Sequence, residues 1–412
     1  MPTKATSLSQ LLQRAAESPQ ERGIQVHGAG QLSEVTSISY RDLFDVASQN
    51  RAFVEETAGG RRDAVFLLHL DSHVDGIIWF WSVVVAGYTP ALSPPFVNNS
   101  EQHRKHLTHL KTLLRDPIVL TTSKLVSSFT NNIQPERICA VDVLPPRMTR
   151  KAASASSAPT GLDSPASPDV LMLTSGSTGN AKAVSISHAQ LLSAMAAKVV
   201  CHQTTPDDVF LNWIGLDHVA NLAESHLHAL YLNAQQVHVH AEDFVSSPLS
   251  FLDVIAQHGV SFSFAPNFFL ASLAREVRAR NRDGEHALVD QAGRVMDLSS
   301  LKCITSGGEA LVVKTALSLL GDLEAYGCPR NVLVPGFGMT ETCAGSIHSN
   351  RFPDYDVEKG LDFAALGTCH EGLEMRVVQV DEQGRVATAP AGEPGQLHLR
   401  GPLVRHGGPR RD

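Results

Sequence analysis

Residues 171–183 read LMLTSGSTGNAKA. The apolar run Leu171-Met172-Leu173 is consistent with a buried strand. It leads into Thr174-Ser175-Gly176-Ser177-Thr178-Gly179, which holds only hydroxyls and glycines. Gly176 and Gly179 let the backbone turn tightly and approach a ligand closely. The hydroxyls and exposed N–H groups of such a loop cradle phosphate oxygens, and Lys182 adds a mobile positive charge. A flexible Ser/Gly turn is the plain alternative. The strand before the loop and the lysine after it favour a phosphate-binding loop. The spacing is not the GxxxxGK[ST] of P-loop NTPases, which does not occur in the chain.

Composition narrows the field around this loop. At 412 residues the chain is too long for one small core and predicts two or three subdomains. A net charge of -8 argues against a nucleic-acid partner. No apolar run reaches the roughly 18 residues of a membrane span, so no membrane partner is expected, and residues 77–86 read as a buried helix. The opening MPTKATSLSQLLQRAAESPQ lacks the apolar core of a secretory signal. Cys139, Cys201, Cys303, Cys328, Cys343 and Cys369 contain no CxxC, which predicts reduced thiols in a cytoplasmic protein and neither a disulfide frame nor a zinc site. The pairs His226/His228 and His238/His240 would each share one face of a strand. No Cys, Asp or Glu cluster completes either pair at an obvious spacing, so no metal is expected there.

Along the chain, residues 8–55 read as mainly helical. A short strand at Ser37-Ile38-Ser39-Tyr40 precedes the helical RDLFDVASQNRAFVEE. Strand 63–68, the apolar helix and strand 88–92 form a strand–helix–strand unit, the mark of a parallel α/β sheet. Residues 152–168 are Ala/Ser/Pro-rich and read as a linker. Beyond Val170, strands and helices alternate again to about Val334. MRVVQV and GQLHLRG, around the Asp381-Glu382-Gln383-Gly384 turn, predict a small β unit. The expected divisions are a helical segment at 1–34, a first α/β subdomain at 35–150, the linker at 151–168, a second α/β subdomain at 169–365 and a small β subdomain at 366–412.

The TSGSTGxxK stretch resembles the signature loop of the adenylate-forming superfamily of acyl-CoA synthetases, luciferases and adenylation domains. Asn180-Ala181 and Ala183 depart from that family's usual Lys-Pro or Thr-Pro before the lysine and Gly after it, but small residues are kept. Pro335-Gly336-Phe337-Gly338-Met339-Thr340-Glu341-Thr342 resembles the family's YGxTE motif, with Phe337 in the aromatic slot. The resemblance implies Phe337 and Gly338 beside adenine, Thr340 at the α-phosphate and Glu341 on Mg²⁺, an ion usually held by one or two carboxylates plus substrate phosphates. Thr305-Ser306-Gly307-Gly308-Glu309 is similar to the loop that lies flat on adenine. In Trp213-Ile214-Gly215-Leu216-Asp217-His218, His218 fits the slot at the mouth of the acyl pocket, with a buried structural histidine as the alternative. Asp217 stands in Leu-Asp-His rather than the Phe-Asp-x-Ser of amino-acid-activating domains, so an ammonium ion pair does not follow. The alternating Phe262-Ser263-Phe264, with Phe268 and Phe269, is equally consistent with a pocket wall and with core.

The resemblance covers about residues 35–405 and is nearest to fungal enzymes like nonribosomal peptide synthetases, of the adenylate-forming reductase type. It implies an α/β fold of two stacked mixed subdomains plus a small β subdomain. It also implies ATP and Mg²⁺, a small carboxylic acid, and a carrier-protein phosphopantetheine or CoA thiol as acceptor. The family's Thr-Gly-Asp motif and C-terminal lid do not follow GQLHLRGP, so an impaired, truncated chain is expected. Three readings stay open: an adenylating enzyme of secondary metabolism, an acyl-CoA ligase remnant, and an inactive nucleotide- or acyl-binding protein.

Overall fold

The computed structural model describes residues 5–94, 100–130, 135–143, 169–175, 181–282, 288–289 and 293–404. Ser7 caps α1 (Leu8–Ala16). β1 (Gly23–Gly28) and β2 (Gln31–Ser39) form an antiparallel hairpin. Ser39 closes a capping box with Asp42 to start α2 (Tyr40–Ala58), which Gly59 ends in the left-handed region at φ 59°. β3 (Val65–His69), α3 (His73–Val85) and β4 (Thr89–Leu92) are the strand–helix–strand unit expected from sequence. α3 is apolar nearly all round, and residues 77–85 are all buried, as such a helix must be.

α4 (Ser100–Leu113), β5 (Ile118–Thr121), β6 (Ile138–Ala140), β7 (Val170–Ser175) and β8 (Ala181–Ile186) complete the first lobe. Its six-stranded sheet runs β6-β5-β3-β4-β7-β8, parallel except for the β7–β8 hairpin. Ser187 and Gln190 then cap α5 (His188–His202). β9 (Val209–Asn212) leads to a π-helix (Ala220–His226) that continues as α6 (Leu227–Leu232), followed by β10 (Gln235–His238). α7 (Ala241–Ser246), α8 (Leu249–His258), β11 (Phe262–Phe264), α9 (Asn267–Arg282), β12 (Cys303–Ser306) and α10 (Val313–Leu323) alternate onward. β13 (Leu333–Met339) passes through a 3₁₀ turn (Thr340–Thr342) into β14 (Ala344–His348), then α11 (Asp354–Lys359) and β15 (Thr368–Cys369). The second sheet has nine strands in the order β15-β14-β13-β12-β11-β9-β10-β1-β2. β16 (Glu374–Val380), β17 (Val386–Thr388) and β18 (Gln396–Arg400) form a small antiparallel sheet.

The fold is thus mixed α/β, with two large sheets and a small β unit. Two sequence expectations need correction. The helical reading of residues 8–55 holds for α1 and α2 but not for residues 23–39, which form a hairpin on the far edge of the second sheet. β1 pairs with β10 and buries Ile24 and Val26 in the core of α1–α3, but β2 is exposed apart from half-buried Leu32, Ile38 and its end, so its apolar periodicity is weak. The sheets also do not divide at the expected boundary: β1–β2 join the second sheet, and β7–β8 complete the first. The linker residues 152–168 lie outside the described residues. Trp81, Phe66, Phe80, Leu8, Tyr40, Leu191 and Leu227 belong to one core that runs from α1–α3 across β3 to α5 and α6. Each such fully buried large side chain contributes about 1.5–3 kcal/mol. A second core fills the space between the nine-stranded sheet and α8–α10. Among the described residues no helix is long and apolar enough to cross a membrane.

Candidate active site

Strands β9, β11, β12 and β13 run parallel, with Ser263 opposite Leu211, Phe264 opposite Thr305 and Ser306 opposite Pro335. Their carboxyl ends therefore share one sheet edge, the place where open α/β sheets hold ligands. The 213–218, 265–267, 307–309 and 337–341 segments all leave from that edge. His218 lies on its far side, separated from Phe337 by β11 and β12.

Glycine is dictated by backbone crowding in this edge. A Cβ on Gly307 would sit 2.9 Å from the Gly336 carbonyl oxygen, and one on Gly338 only 2.0 Å from that of Ala344. Gly308 holds φ +81°, where side chains are strained. Glu309 is exposed, and its Oε1 accepts the Phe268 N–H at 2.7 Å, while Asn267 Oδ1 accepts the Val312 N–H at 3.0 Å. These two bonds clamp the Gly307-Gly308-Glu309 loop onto the start of α9. One oxygen of Glu309 thus serves the loop itself.

Phe337 is half-buried where β13 pairs with β14. In the turn that follows, Thr342 Oγ1 accepts the Met339 N–H at 3.0 Å and lies equally close to the Met339 and Ala344 carbonyls. Cys343 and Ala344 take φ 55° and 70°, uncommon for residues with a Cβ. The tight turn leaves Thr340 half-buried and Glu341 exposed. β8 packs against this turn. Lys182 is exposed on β8, paired across the hairpin with half-buried Thr174, and Ser175 pairs with Ala181. Neither Lys182 nor Glu341 has an ion-pair partner among the described residues. Gly176, Ser177, Thr178 and Gly179 lie outside the described residues.

His218 is exposed, and its Nδ1 accepts the Ala220 N–H at 3.1 Å at the mouth of the π-helix, so the neutral ring carries its proton on Nε2. Partial desolvation lowers its pKa, with Asp217 pulling the other way. The Asp217 carboxylate folds back over Gly215: a Cβ there would lie 2.1 Å from Asp217 Oδ1. Burial raises the pKa of Asp217. Trp213 is core, with its Nε1–H on the Phe264 carbonyl at 2.7 Å and its ring 4.7 Å from Phe269. Phe262 and Phe269 are core, Phe264 is half-buried and Phe268 is exposed. Core therefore holds for Phe262 and Phe269, while Phe264 and Phe268 stay candidates for a pocket wall.

Sequence reasoning missed the buried pair beneath this site. Lys198 Nζ lies 2.6 Å from Glu224 Oε2 and 2.6 Å from the Gly345 carbonyl, and the Gly345 N–H donates to the same carboxylate at 3.1 Å. The side chains are 0% and 3% exposed. Burial alone would raise the Glu224 pKa. The Lys198 ammonium and the neighbouring His202 and His348 reverse this and hold it well below its usual range. The pair anchors the strand that leaves Thr340–Thr342. The only sequence signal was a lysine on the apolar helix LLSAMAAKVV. The two histidine pairs do not share strand faces either. His226 and His228 are helical and bond Trp81 Nε1 and Thr204 respectively, whereas His238 ends β10 and His240 precedes α7.

The AMP-binding enzyme family matches residues 12–407. The chain is 43% identical over 408 residues to the nonribosomal peptide synthetase acyN of Ascocoryne sarcoides, covering 98% of this chain and 42% of that protein. It is 42% identical over 370 residues to a microperfuranone synthase of Emericella nidulans, covering 90% and 38%. The chain therefore spans about two-fifths of the length of these relatives. Among solved structures it resembles McyG A-PCP complexed with phenylalanyl-adenylate, at TM-score 0.81 and 26% identity, over 98% of this chain and 70% of that one. An adenylation domain of a keto acid-selecting module bound to keto acyl adenylate superposes at TM-score 0.77 and 24% identity, over 98% and 74%. The chain belongs to the AMP-binding enzyme family and has the fold of an adenylation domain.

Proposed function

We propose that this chain activates a carboxylic acid with ATP to give an acyl-adenylate and pyrophosphate. The observation that carries the proposal is the packing of the Lys182 hairpin against the Thr340–Thr342 turn. It sets an exposed lysine strand and an exposed carboxylate turn, neither with an ion-pair partner among the described residues, beside backbone crowded at Gly307 and Gly338. A carboxylate oxygen of the acid attacks the α-phosphorus, forming the acyl–phosphate anhydride. The bond from that phosphorus to the β-phosphate oxygen breaks, and pyrophosphate leaves. Lys182, Thr174, Ser175 and the 176–179 loop hold phosphates; Phe337, Gly338, Gly307 and Gly308 face adenine, with Glu309 securing their loop. Thr340 meets the α-phosphate and His218 the acid. Glu341 is an exposed hard oxygen donor without an ion-pair partner among the described residues, which fits Mg²⁺. When bound, that ion neutralises phosphate charge.

The acid is aryl or another non-amino acid, keto acids included. Asp217, the one acidic residue in the 213–218 stretch, is turned onto Gly215 and not outward toward an ammonium group. A carrier-protein phosphopantetheine thiol is the acceptor, a reading supported by the neighbour solved as an A-PCP, and the product enters fungal secondary metabolism.

ATP–pyrophosphate exchange on the 412-residue chain, with aryl, keto, fatty and amino acids, is the test. Exchange dependent on a non-amino acid is expected. Tight ATP binding without exchange on any acid would overturn adenylation and leave a binding protein. Exchange only with amino acids would overturn the substrate class.

A further inference from the structure

Behind the nine-stranded sheet, the last turn of α5 meets β14 and the chain after β15. Cys201, His202, His348 and His370 come together there, and one potential ligand atom from each lies within 4.8 Å of every other. The His202 side chain is 1% exposed, and His348 and His370 are buried. His348 Nδ1 and His370 Nε2 are 2.7 Å apart, and the His202 and His348 ring centroids 4.6 Å. The His348 ring sits in a slot formed by two glycines: a Cβ on either Gly336 or Gly345 would lie 2.4 Å from it. His370 is fixed by its backbone N–H on the Ser346 carbonyl at 2.9 Å.

A second observation points to a ligand. His370 Nδ1 is buried without a hydrogen-bond partner, which native interiors rarely tolerate, whereas the likewise unpartnered His202 Nε2 and Glu224 Oε1 face each other. Glu224 Oε1 lies 3.6 Å from His202 Nε2 and 4.0 Å from His348 Nε2. Its other oxygen already neutralises Lys198. Three imidazoles and a thiol form a borderline-soft donor set suited to zinc. A carboxylate receiving the second ring N–H of a ligating histidine is the usual outer support of such a site.

We propose that Cys201, His202, His348 and His370 bind one zinc ion or another divalent transition metal, with Glu224 orienting His202 and His348. The site joins α5 to β14 and β15 and braces the strand leaving Thr340–Thr342. The cysteine spacings give no sign of it, because the donors converge only through the fold. The test strips the 412-residue chain with chelator and titrates Co²⁺. A visible d–d spectrum at one equivalent, with a thiolate-to-cobalt charge-transfer band displaced by Zn²⁺, is expected. Cys201→Ser should lose that band and bind cobalt about tenfold or more weakly. No cobalt spectrum in the unmodified chain overturns the proposal, independently of any variant. A charge-transfer band retained in Cys201→Ser overturns it as well. The readout needs no adenylation, so the site and the enzymatic reading fail separately.

Discussion

At the residue scale, charge decides both what the site does and what holds it up. Lys182 and Glu341 are exposed, so Lys182→Ala and Glu341→Ala should leave folding intact. Each should cut pyrophosphate exchange about 10²–10³-fold, the cost of one preorganised electrostatic contact, with circular dichroism unchanged. Lys198 behaves oppositely because it is buried against Glu224. Lys198→Met alone leaves an uncompensated buried carboxylate and should cost about 3–5 kcal/mol in urea unfolding, whereas Lys198→Met with Glu224→Leu should recover most of that. Lys182 and Glu341 were visible as candidates in the sequence because each sits in a short local motif. The buried pair was not, since Lys198 meets Glu224 only through a π-helix that no periodicity announces.

At the element scale, the turn from β13 to β14 is the least forgiving part of the molecule. A Cβ on Gly338 meets the Ala344 backbone, which has no flexible end to move aside. Gly338→Ala should therefore destabilise by about 1–3 kcal/mol or more and depress exchange further than its stability loss explains. Denaturant midpoints measured beside exchange rates separate the two effects. Glycine-rich turns after apolar strands made β12 and β13 readable. The β1–β2 hairpin escaped because its outer strand is nearly all exposed, and its inner strand finds its partner β10 far along the chain. Phe262, Phe264, Phe268 and Phe269 show the same limit, since alternation reports a buried strand but not what lies on either side.

At the scale of the whole molecule, acid should unfold the chain early. Burial lowers His73, His188 and His226 from 6.5 to about 4. Each is neutral in the fold and takes a proton at 6.5 once unfolded. Their stabilising effect is therefore complete above pH 6.5 and is lost as pH falls toward 4. Glu224 adds a loss below its ordinary 4.5. Melting temperatures measured from pH 8 to pH 5 should fall, with net proton uptake on unfolding; a flat profile would contradict the burial of these rings.

The hairpin at the far edge of the nine-stranded sheet has a consequence for how the protein is made. Gly30 donates its N–H to Asp243 across a sequence separation of 213, and β1 has no sheet to join until β10 exists. At about 5–20 residues per second, a ribosome leaves this hairpin waiting for roughly ten seconds or more after it emerges. During that interval its inner strand, with Ile24 and Val26, is an unpaired sticky edge. β1 and β2 therefore wait for β10 before they can dock, and the growing chain needs protection at this hairpin during that interval.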